Sequence, residues 1–188
     1  MKQLTIIGAL MLAACAGANG SRVAAAASPL APDANASERL VAALTDAQEA
    51  MATGDPLALG AALAAIEGLG GRPAGEEEQR LLDGWKAVAP AQSPTRGRLR
   101  GPAFRSGTIA PGASMTIAQA FLAGQKAEVA VEATGAEIAL SIADESETLC
   151  SRSGARASCT WVPIFTRRHA IRIVNRGGQP ARYHLAMN

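Results

Sequence analysis

The chain has 188 residues, of which 48% are hydrophobic and 18% charged, and its formal net charge is +2. This length suffices for one domain of ordinary size, or for a small domain with a helical appendage. Only 3% of the residues are aromatic, which excludes an aromatic-rich core and predicts one built from Ala, Leu, Ile and Val. Residues 31–93 carry a net charge of −6 and residues 94–188 one of +6. This shift predicts two units with different surfaces.

Residues 1–18 have the pattern of a signal peptide. One cation precedes an apolar run of about a dozen residues, shorter than the ~20 that a membrane-spanning helix needs. The run ends in Leu-Ala-Ala-Cys at residues 12–15, which matches the bacterial lipoprotein processing box and would make Cys15 the lipidated N-terminus. Residues 16–18 form a competing site for ordinary cleavage, which would remove Cys15. Both alternatives predict an exported protein without a transmembrane span, either lipid-anchored in the periplasm or at the outer membrane, or secreted.

A flexible tether and an acidic helical unit follow the leader. Residues 19–36 are rich in Ala, Gly, Ser and Pro, a composition typical of tethers. Residues 37–90 predict two or three amphipathic helices. We expect Ser37 to be the N-cap of the first helix and Gly54 its end, with Asp55 as the N-cap of the second. Three consecutive glutamates at 76–78 place favourable negative charge at the start of the third.

Residues 91–105 predict an arginine-rich linker, in which Arg96, Arg98 and Arg100 stand among Gly and Pro. These arginines are candidates for binding a phosphate-rich surface such as an anionic lipid headgroup. The alternative is a solvated linker whose arginines face the acidic helical unit. The segment lacks the interleaved aromatic residues of a nucleic-acid binder, so no nucleic-acid partner is predicted.

Residues 106–188 predict an antiparallel β-sandwich or jelly roll, because the hydrophobic period changes to two. Turn signals at Gly or Pro-Gly separate runs of five to nine residues. The fold class predicted for the whole chain is therefore α+β by segments, with helices first and the sandwich second. The inward-facing residues are expected to be Ala127, Val129, Val131, Ile138, Leu140, Ile142, Ile171, Ile173, Tyr183, Leu185 and Met187.

Two of the three cysteines, Cys150 and Cys159, lie in this part of the chain with eight residues between them. Thiols oxidise outside the cytoplasm, and Gly154 allows a hairpin that would bring the two together. We therefore predict a structural disulfide, whose small ring removes about 2.5–3 kcal/mol of unfolded-state entropy. Trp161 is expected to pack against it, and a sugar-stacking role for this side chain is the alternative.

The order of several short motifs resembles that of bacterial pre-peptidase C-terminal domains. These motifs are LAGQ at 122–125, IALSIADE at 138–145, WVP at 161–163, VNRGG at 174–178 and YHL at 183–185. The resemblance implies a non-catalytic, jelly-roll-like sandwich of exported proteins, often appended to secreted hydrolases. Some members bind calcium or polymeric substrates. This chain has GAEI at 135–138 where many members have Asp-x-Asp-Leu, so no calcium ligand is carried over.

Neither a catalytic motif nor a cofactor motif is present in the sequence. The two histidines, His169 and His184, lie in strand-like segments and are predicted to be structural. Asp144, Glu145 and Glu147 follow a strand, where solvent is favoured over a bound cation. The sequence therefore predicts a non-enzymatic binding or structural accessory of the cell envelope, without metal or cofactor. Its partner would be an envelope component, another exported protein, a polysaccharide or anionic lipid. The alternative is a helical adaptor that recruits a partner protein through the acidic helices.

Overall fold

The computed structural model describes residues 30–90, 100–145 and 147–188. Within them, the chain forms three helices and then a β-sandwich, which confirms the predicted α+β class. The helices are α1 (Ala36–Thr53), α2 (Pro56–Gly68) and α3 (Glu76–Val88). The strands are β1 (Arg72–Pro73), β2 (Ala103–Ile109), β3 (Ser114–Phe121), β4 (Ala127–Thr134), β5 (Ile138–Ala143), β6 (Thr148–Gly154), β7 (Arg156–Trp161), β8 (Arg167–Asn175) and β9 (Ala181–Met187). No helix in these residues is both long and apolar enough to cross a membrane.

The N-cap of α1 is Asn35, and the prediction of Ser37 was wrong. The Asn35 side chain accepts a hydrogen bond from the Glu38 N–H at 2.9 Å, and the Glu38 carboxylate accepts one from the Asn35 N–H at 2.8 Å. This reciprocal capping box satisfies two donors that a helix start leaves free. Ser37 is instead a buried residue of the first turn. The other end of α1 is as predicted, because Gly54 adopts φ 69°, a left-handed conformation that glycine tolerates.

Asp55 is the N-cap of α2, in agreement with the sequence. One oxygen of its carboxylate accepts hydrogen bonds from the N–H groups of Leu57 and Ala58, at 3.0 and 2.9 Å. Pro56 occupies the first helical position, where its missing N–H costs no hydrogen bond. The chain therefore turns directly from α1 into α2.

The sandwich consists of a five-stranded sheet in the order β1-β2-β9-β4-β7 and a four-stranded sheet in the order β3-β8-β5-β6. All neighbouring strands are antiparallel except the short β1, which runs parallel to β2. All eleven side chains predicted to face inward belong to the core between the sheets. Strand β2 begins at Ala103 and therefore includes the last residues of the segment interpreted as a linker, while β1 comes from the segment interpreted as the helical unit.

The helices cover the outer face of the five-stranded sheet, where α1 lies against β4 and β9. Ala130 and Ala186 are paired neighbours on this face and leave room for the helix. Together with Phe104 of β2 they share a core with buried side chains of α1, α2 and α3. This core includes Leu40, Val41, Leu44, Ala47, Leu59, Leu63, Ile66, Leu82 and Trp85.

Two glutamates of β4 are buried beneath the helices. Glu132 forms a two-point ion pair with Arg156 of β7, at 3.1 and 2.8 Å, and Glu128 pairs with Lys126 at 2.8 Å. Burial, reinforced by the Glu132 charge, raises the pKa of Asp46 on α1. The sheet face beneath the helices therefore carries ion-paired carboxylates beside the apolar core around Ala130 and Ala186.

Cys150 and Cys159 form the predicted disulfide, with their Cα atoms 6.1 Å apart. Their strands do not form a hairpin, however, because β6 pairs with β5 in one sheet and β7 pairs with β4 in the other. Gly154 adopts φ 140° at the point where the chain crosses between the sheets. The disulfide therefore joins the two sheets along one side of the sandwich.

Candidate functional site

The predicted site residues are not gathered in one place. Cys15, Arg96 and Arg98 lie outside the described residues. Arg100 is exposed and precedes β2, whereas Trp161 ends β7, at the opposite side of the same sheet. Among the predicted site residues that the structure describes, the two cysteines are joined, whereas Arg100 and Trp161 lie apart.

Trp161 belongs to an aromatic cluster at one end of the sandwich. Its ring centroid lies 4.8 Å from that of Phe121 and 5.5 Å from that of His169, which is itself 98% buried. Trp161 and Cys150 are both partly buried against the same core. Since two rings contact Trp161 and the residue is partly buried, it anchors the strand ends around it, and its sugar-stacking role stays a prediction.

Two loops meet beyond this cluster, and we call them together the apolar tip: residues 122–126 between β3 and β4, and residues 162–166 between β7 and β8. The Ala123 N–H donates to the Thr166 hydroxyl at 2.9 Å, and the Gly124 N–H donates to the Pro163 carbonyl at 2.8 Å. Gly124 has φ 72°, so the turn requires glycine there. These hydrogen bonds hold the two loops against each other.

The apolar tip exposes four large hydrophobic side chains. The exposed fraction is 52% for Leu122, 58% for Val162, 82% for Ile164 and 63% for Phe165. Single exposed apolar residues are ordinary on protein surfaces, but a contiguous group commonly marks an interaction site. The signal in the sequence was Val-Pro-Ile-Phe between two strands, where turn residues are usually polar.

Two cations at the base of the apolar tip, Lys126 and Arg167, are paired with carboxylates, and the exposed Arg168 follows them in β8. Lys126 contacts Glu128 at 2.8 Å, and Arg167 contacts Asp144 at 3.1 Å. The Arg167 guanidinium also lies 5.5 Å from the centre of the Phe165 ring. The described residues contain no group of three or more His, Cys, Asp or Glu side chains that could hold a metal ion.

A second concave region, which we call the helix–sheet cleft, lies between α1, α3, β2 and β9. Its volume is about 210 Å³. It is lined by Gln48, Glu77, Glu78, Leu81, Ser106, Gly107, Thr108, Arg182 and His184. Sequence reasoning missed this region, because its residues come from four elements that are distant in the chain.

Three polar groups meet in the helix–sheet cleft. The Ser106 hydroxyl lies 2.7 Å from Nδ1 of His184, and the Ser106 N–H donates to the Glu78 carboxylate at 3.3 Å. Burial, with a smaller contribution from the Arg182 charge, lowers the pKa of His184 to about 4. The imidazole is therefore neutral at pH 7. His184 lies in β9, an interior strand of its sheet, and is buried because Trp85 of α3 packs on its ring.

This constellation differs from a hydrolytic serine–histidine–acid triad. In such a triad, one imidazole nitrogen contacts the serine and the other donates to a carboxylate. Here Nε2 of His184 is buried and has no hydrogen-bond partner among the described residues, and Glu78 contacts the serine backbone instead. The arrangement offers hydrogen bonds and one buried charge, which suits binding.

No protein-family model and no curated protein sequence matches the chain. Among solved structures, it is similar to the Yersinia pseudotuberculosis-derived mitogen, with 14% identity, a TM-score of 0.41, and coverage of 47% of this chain and 85% of that one. For the pre-peptidase C-terminal domain of the Bacillus anthracis collagenase, the identity is 10%, the TM-score 0.39 and the coverages 46% and 89%. For PliG of Aeromonas hydrophila, a periplasmic inhibitor of g-type lysozyme, the identity is 12% and the TM-score 0.38, with coverage of 46% of this chain and 84% of that one. Each aligns with less than half of this chain.

Proposed function

We propose that this chain is an exported, non-catalytic accessory protein of the bacterial cell envelope, which binds another exported protein through the apolar tip. The observation that carries this proposal is the exposure of Leu122, Val162, Ile164 and Phe165 on two loops that hydrogen bonds hold together. The resemblance of residues 106–188 to pre-peptidase C-terminal domains supports a binding module on an exported protein. The disulfide supports export, because such bonds persist in oxidising compartments.

A protein fits the apolar tip better than an anionic membrane does. Membrane binding through charge needs an excess of exposed Lys and Arg. Arg168 is exposed near the tip, but Lys126 and Arg167 are ion-paired, and Glu145 and Glu147, which follow β5, add negative charge there. Burying the four apolar side chains would contribute about 5 kcal/mol. This lies at the low end of the ~4–15 kcal/mol that association costs, so further contacts around the tip must contribute to affinity.

A photo-crosslinking amino acid at position 164 tests this proposal in the native host. Ile164 is 82% exposed, and Leu57 on α2, 77% exposed, provides a matched control position. We expect a discrete crosslinked exported protein from position 164 and none from position 57. The crosslink should disappear in the Phe165→Ser variant, whose melting temperature should be unchanged because Phe165 is exposed. Equal crosslinking from both positions would contradict the proposal.

Vesicle flotation is the complementary experiment. We expect no binding to vesicles that contain anionic lipid, since Lys126 and Arg167 are paired with carboxylates and the tip has no excess of positive charge. If the protein binds such vesicles and Phe165→Ser abolishes that binding, the apolar tip binds a membrane. The proposal of a protein partner would then be wrong.

The mode of export follows from the mature N-terminus. Lipidation of Cys15 would hold the chain on a membrane, because each buried acyl methylene contributes about 0.8 kcal/mol. Intact mass spectrometry of the native protein distinguishes a lipidated Cys15 from an unmodified N-terminus at residue 19 or later. Cys15→Ser should release the protein from the membrane fraction only in the first case.

A groove between α1 and α2 favours the helical adaptor as a second candidate function. The groove is about 500 Å³ in volume, with alanines along its walls and two carboxylates, Asp46 and Glu49, beside them. The small alanine side chains leave room for a peptide, and the two carboxylates favour one that carries positive charge. Ala61→Arg would fill this groove from an exposed position, so loss of partner binding in this variant but not in Phe165→Ser would favour the adaptor.

A further inference from the structure

The helix–sheet cleft has the size of a site for one small group. Its volume of about 210 Å³ is below the roughly 300–1,000 Å³ of pockets that hold drug-sized ligands. A single long side chain, or a free molecule of that size, fits such a space. The cleft is separate from the apolar tip, because it lies on the outer face of the five-stranded sheet beside the helices.

Glu78 gives the cleft its charge. Glu78 is only 5% exposed, and its carboxylate forms no ion pair within the described part of the chain. Among the residues that the structure describes, the one hydrogen bond to its carboxylate comes from the Ser106 N–H and is long, at 3.3 Å. A buried carboxylate is costly unless a cation or several donors compensate it. The position of Glu78 in the first turn of α3 supplies only the partial positive charge of a helix N-terminus.

The neighbours of Glu78 do not provide that compensation. His184 is 97% buried, its Nδ1 is engaged with Ser106, and its Nε2 has no partner among the described residues. Burial keeps this imidazole neutral at pH 7, so it adds no positive charge. Arg182 also lines the cleft and its charge reaches His184, but its side chain is exposed and forms no ion pair with Glu78 within the described residues. Glu77 adds a second, exposed carboxylate at the opening.

We propose that the helix–sheet cleft binds the cationic group of a compact organic ligand, a primary ammonium or a guanidinium, with Glu78 as its counter-ion. The ligand's N–H groups would donate to the Glu78 carboxylate and to the Ser106 hydroxyl oxygen. The amide of Gln48 provides a further acceptor on the α1 side. The same chemistry is offered by a free amine and by a lysine or arginine side chain of a partner protein.

Histidine NMR tests this proposal directly, because the chain has only two histidines. The ring proton signals of His184 report on the cleft, and those of His169, buried in the sandwich, serve as an internal reference. The probes are n-butylammonium and methylguanidinium chloride, with sodium chloride at equal ionic strength and neutral n-butanol as controls. We expect a saturable shift of the His184 signals alone with both cations, with a dissociation constant on the order of 1 mM for such small ligands.

Two variants identify the counter-ion. Glu78→Gln keeps the shape of the side chain and can still accept from the Ser106 N–H, so the fold should be retained. We expect it to weaken cation binding at least tenfold, whereas Glu77→Gln, one residue away and exposed, should change it less than threefold. Circular dichroism and the unchanged His169 signals verify that both variants are folded. Equal weakening by the two substitutions would overturn the assignment of Glu78.

The remaining outcomes are also decisive. Absence of a saturable shift with either cation, or an equal shift with n-butanol, would overturn the proposal, since the cleft would then be closed or merely apolar. Nα-acetyl-lysine N-methylamide separates the two sources of the cation. Binding tighter than that of n-butylammonium indicates a partner's side chain, and weaker binding indicates a free amine. Neither result depends on the apolar tip.

Discussion

Glu38 joins two parts of the molecule through a single carboxylate. One oxygen closes the capping box with Asn35, and the other accepts a hydrogen bond from the Ser158 hydroxyl of β7 at 2.6 Å. The start of α1 is thereby fixed to the edge strand of the five-stranded sheet. The sequence contained this signal, because Asn35 is followed three residues later by Glu38, whereas Ser37 is followed by Leu40. Residue type alone favours Asn and Ser equally as caps, whereas the position of the glutamate favours Asn35 over the predicted Ser37.

The two candidates can be compared by substitution. We expect Asn35→Ala to lower the free energy of unfolding by about 1 kcal/mol, because it removes the side-chain acceptor at the helix start. Ser37→Ala should change it by less than about 0.5 kcal/mol or raise it, since the buried Ser37 hydroxyl has no hydrogen-bond partner among the described residues. Urea denaturation of both variants measures the difference. A larger loss in Ser37→Ala would restore Ser37 as the cap.

His184 predicts a pH dependence of stability. Its pKa in the folded protein is about 4, below the 6.5 of an exposed histidine, so the unfolded chain binds more protons between these values. The free energy of unfolding therefore keeps its full value above pH 6.5. It decreases as the pH falls from 6.5 towards 4, because protonation of His184 favours the unfolded chain. The shift corresponds to about 3 kcal/mol. The charged neighbours of His184 in the cleft are Glu77, Glu78 and Arg182, and its uncharged neighbours there include Gln48 and Ser106. Trp85 packs on the His184 ring.

The variant His184→Asn isolates this contribution, because its amide can still reach the Ser106 hydroxyl but does not titrate. We expect urea midpoints of the wild type to fall more steeply than those of the variant from pH 7 to pH 4. His169→Asn, in the sandwich core, provides a comparison at the second histidine. Parallel pH profiles for the wild type and His184→Asn would show that His184 is not responsible.

At the scale of elements, the alternation of apolar residues was sufficient to predict the sandwich core but not what lies outside it. In β4, the face opposite Val129 and Val131 carries Glu128, Ala130 and Glu132. That pattern is the same for a solvated face and for one that a helix covers through small residues and ion pairs. Likewise, β6 and β7 resemble a hairpin in sequence, because Gly154 allows both a tight turn and a crossing between sheets. Contacts between distant segments decide both questions, and one sequence does not contain them.

The disulfide between β6 and β7 is expected to stabilise the sandwich by closing one side of it. Replacing both cysteines by alanine should lower the free energy of unfolding by about 2.5–3 kcal/mol, because the unfolded chain regains the entropy of the ring. The double variant avoids leaving a single thiol. Reductant should produce the same loss in the wild type and none in the variant. An unchanged melting temperature in both experiments would contradict this account.

For the whole molecule, the division of the chain at residues 91–105 into a helical unit and a sandwich remains a prediction from charge and periodicity. The packing of α1 on β4 and β9 argues that the two parts are coupled, because Phe104, Ala130 and Ala186 share a core with the helices. Removing residues 37–90 would expose this apolar surface together with the buried Glu128 and Glu132. Point variants are therefore better tests of function here than deletion of the helices.

The two tryptophans allow this coupling to be measured, because Trp85 lies in α3 and Trp161 in β7. The variants Trp161→Phe and Trp85→Phe each leave one fluorescent reporter, the first in the helices and the second in the sandwich. For each variant we expect the fluorescence transition in urea to coincide with that of far-ultraviolet circular dichroism, since one shared core unfolds cooperatively. A Trp85 signal that changes at lower urea than the circular dichroism of the same variant would show that the helices detach first. In that case the sandwich would be stable alone, and its outer face would become available to a partner only after that detachment.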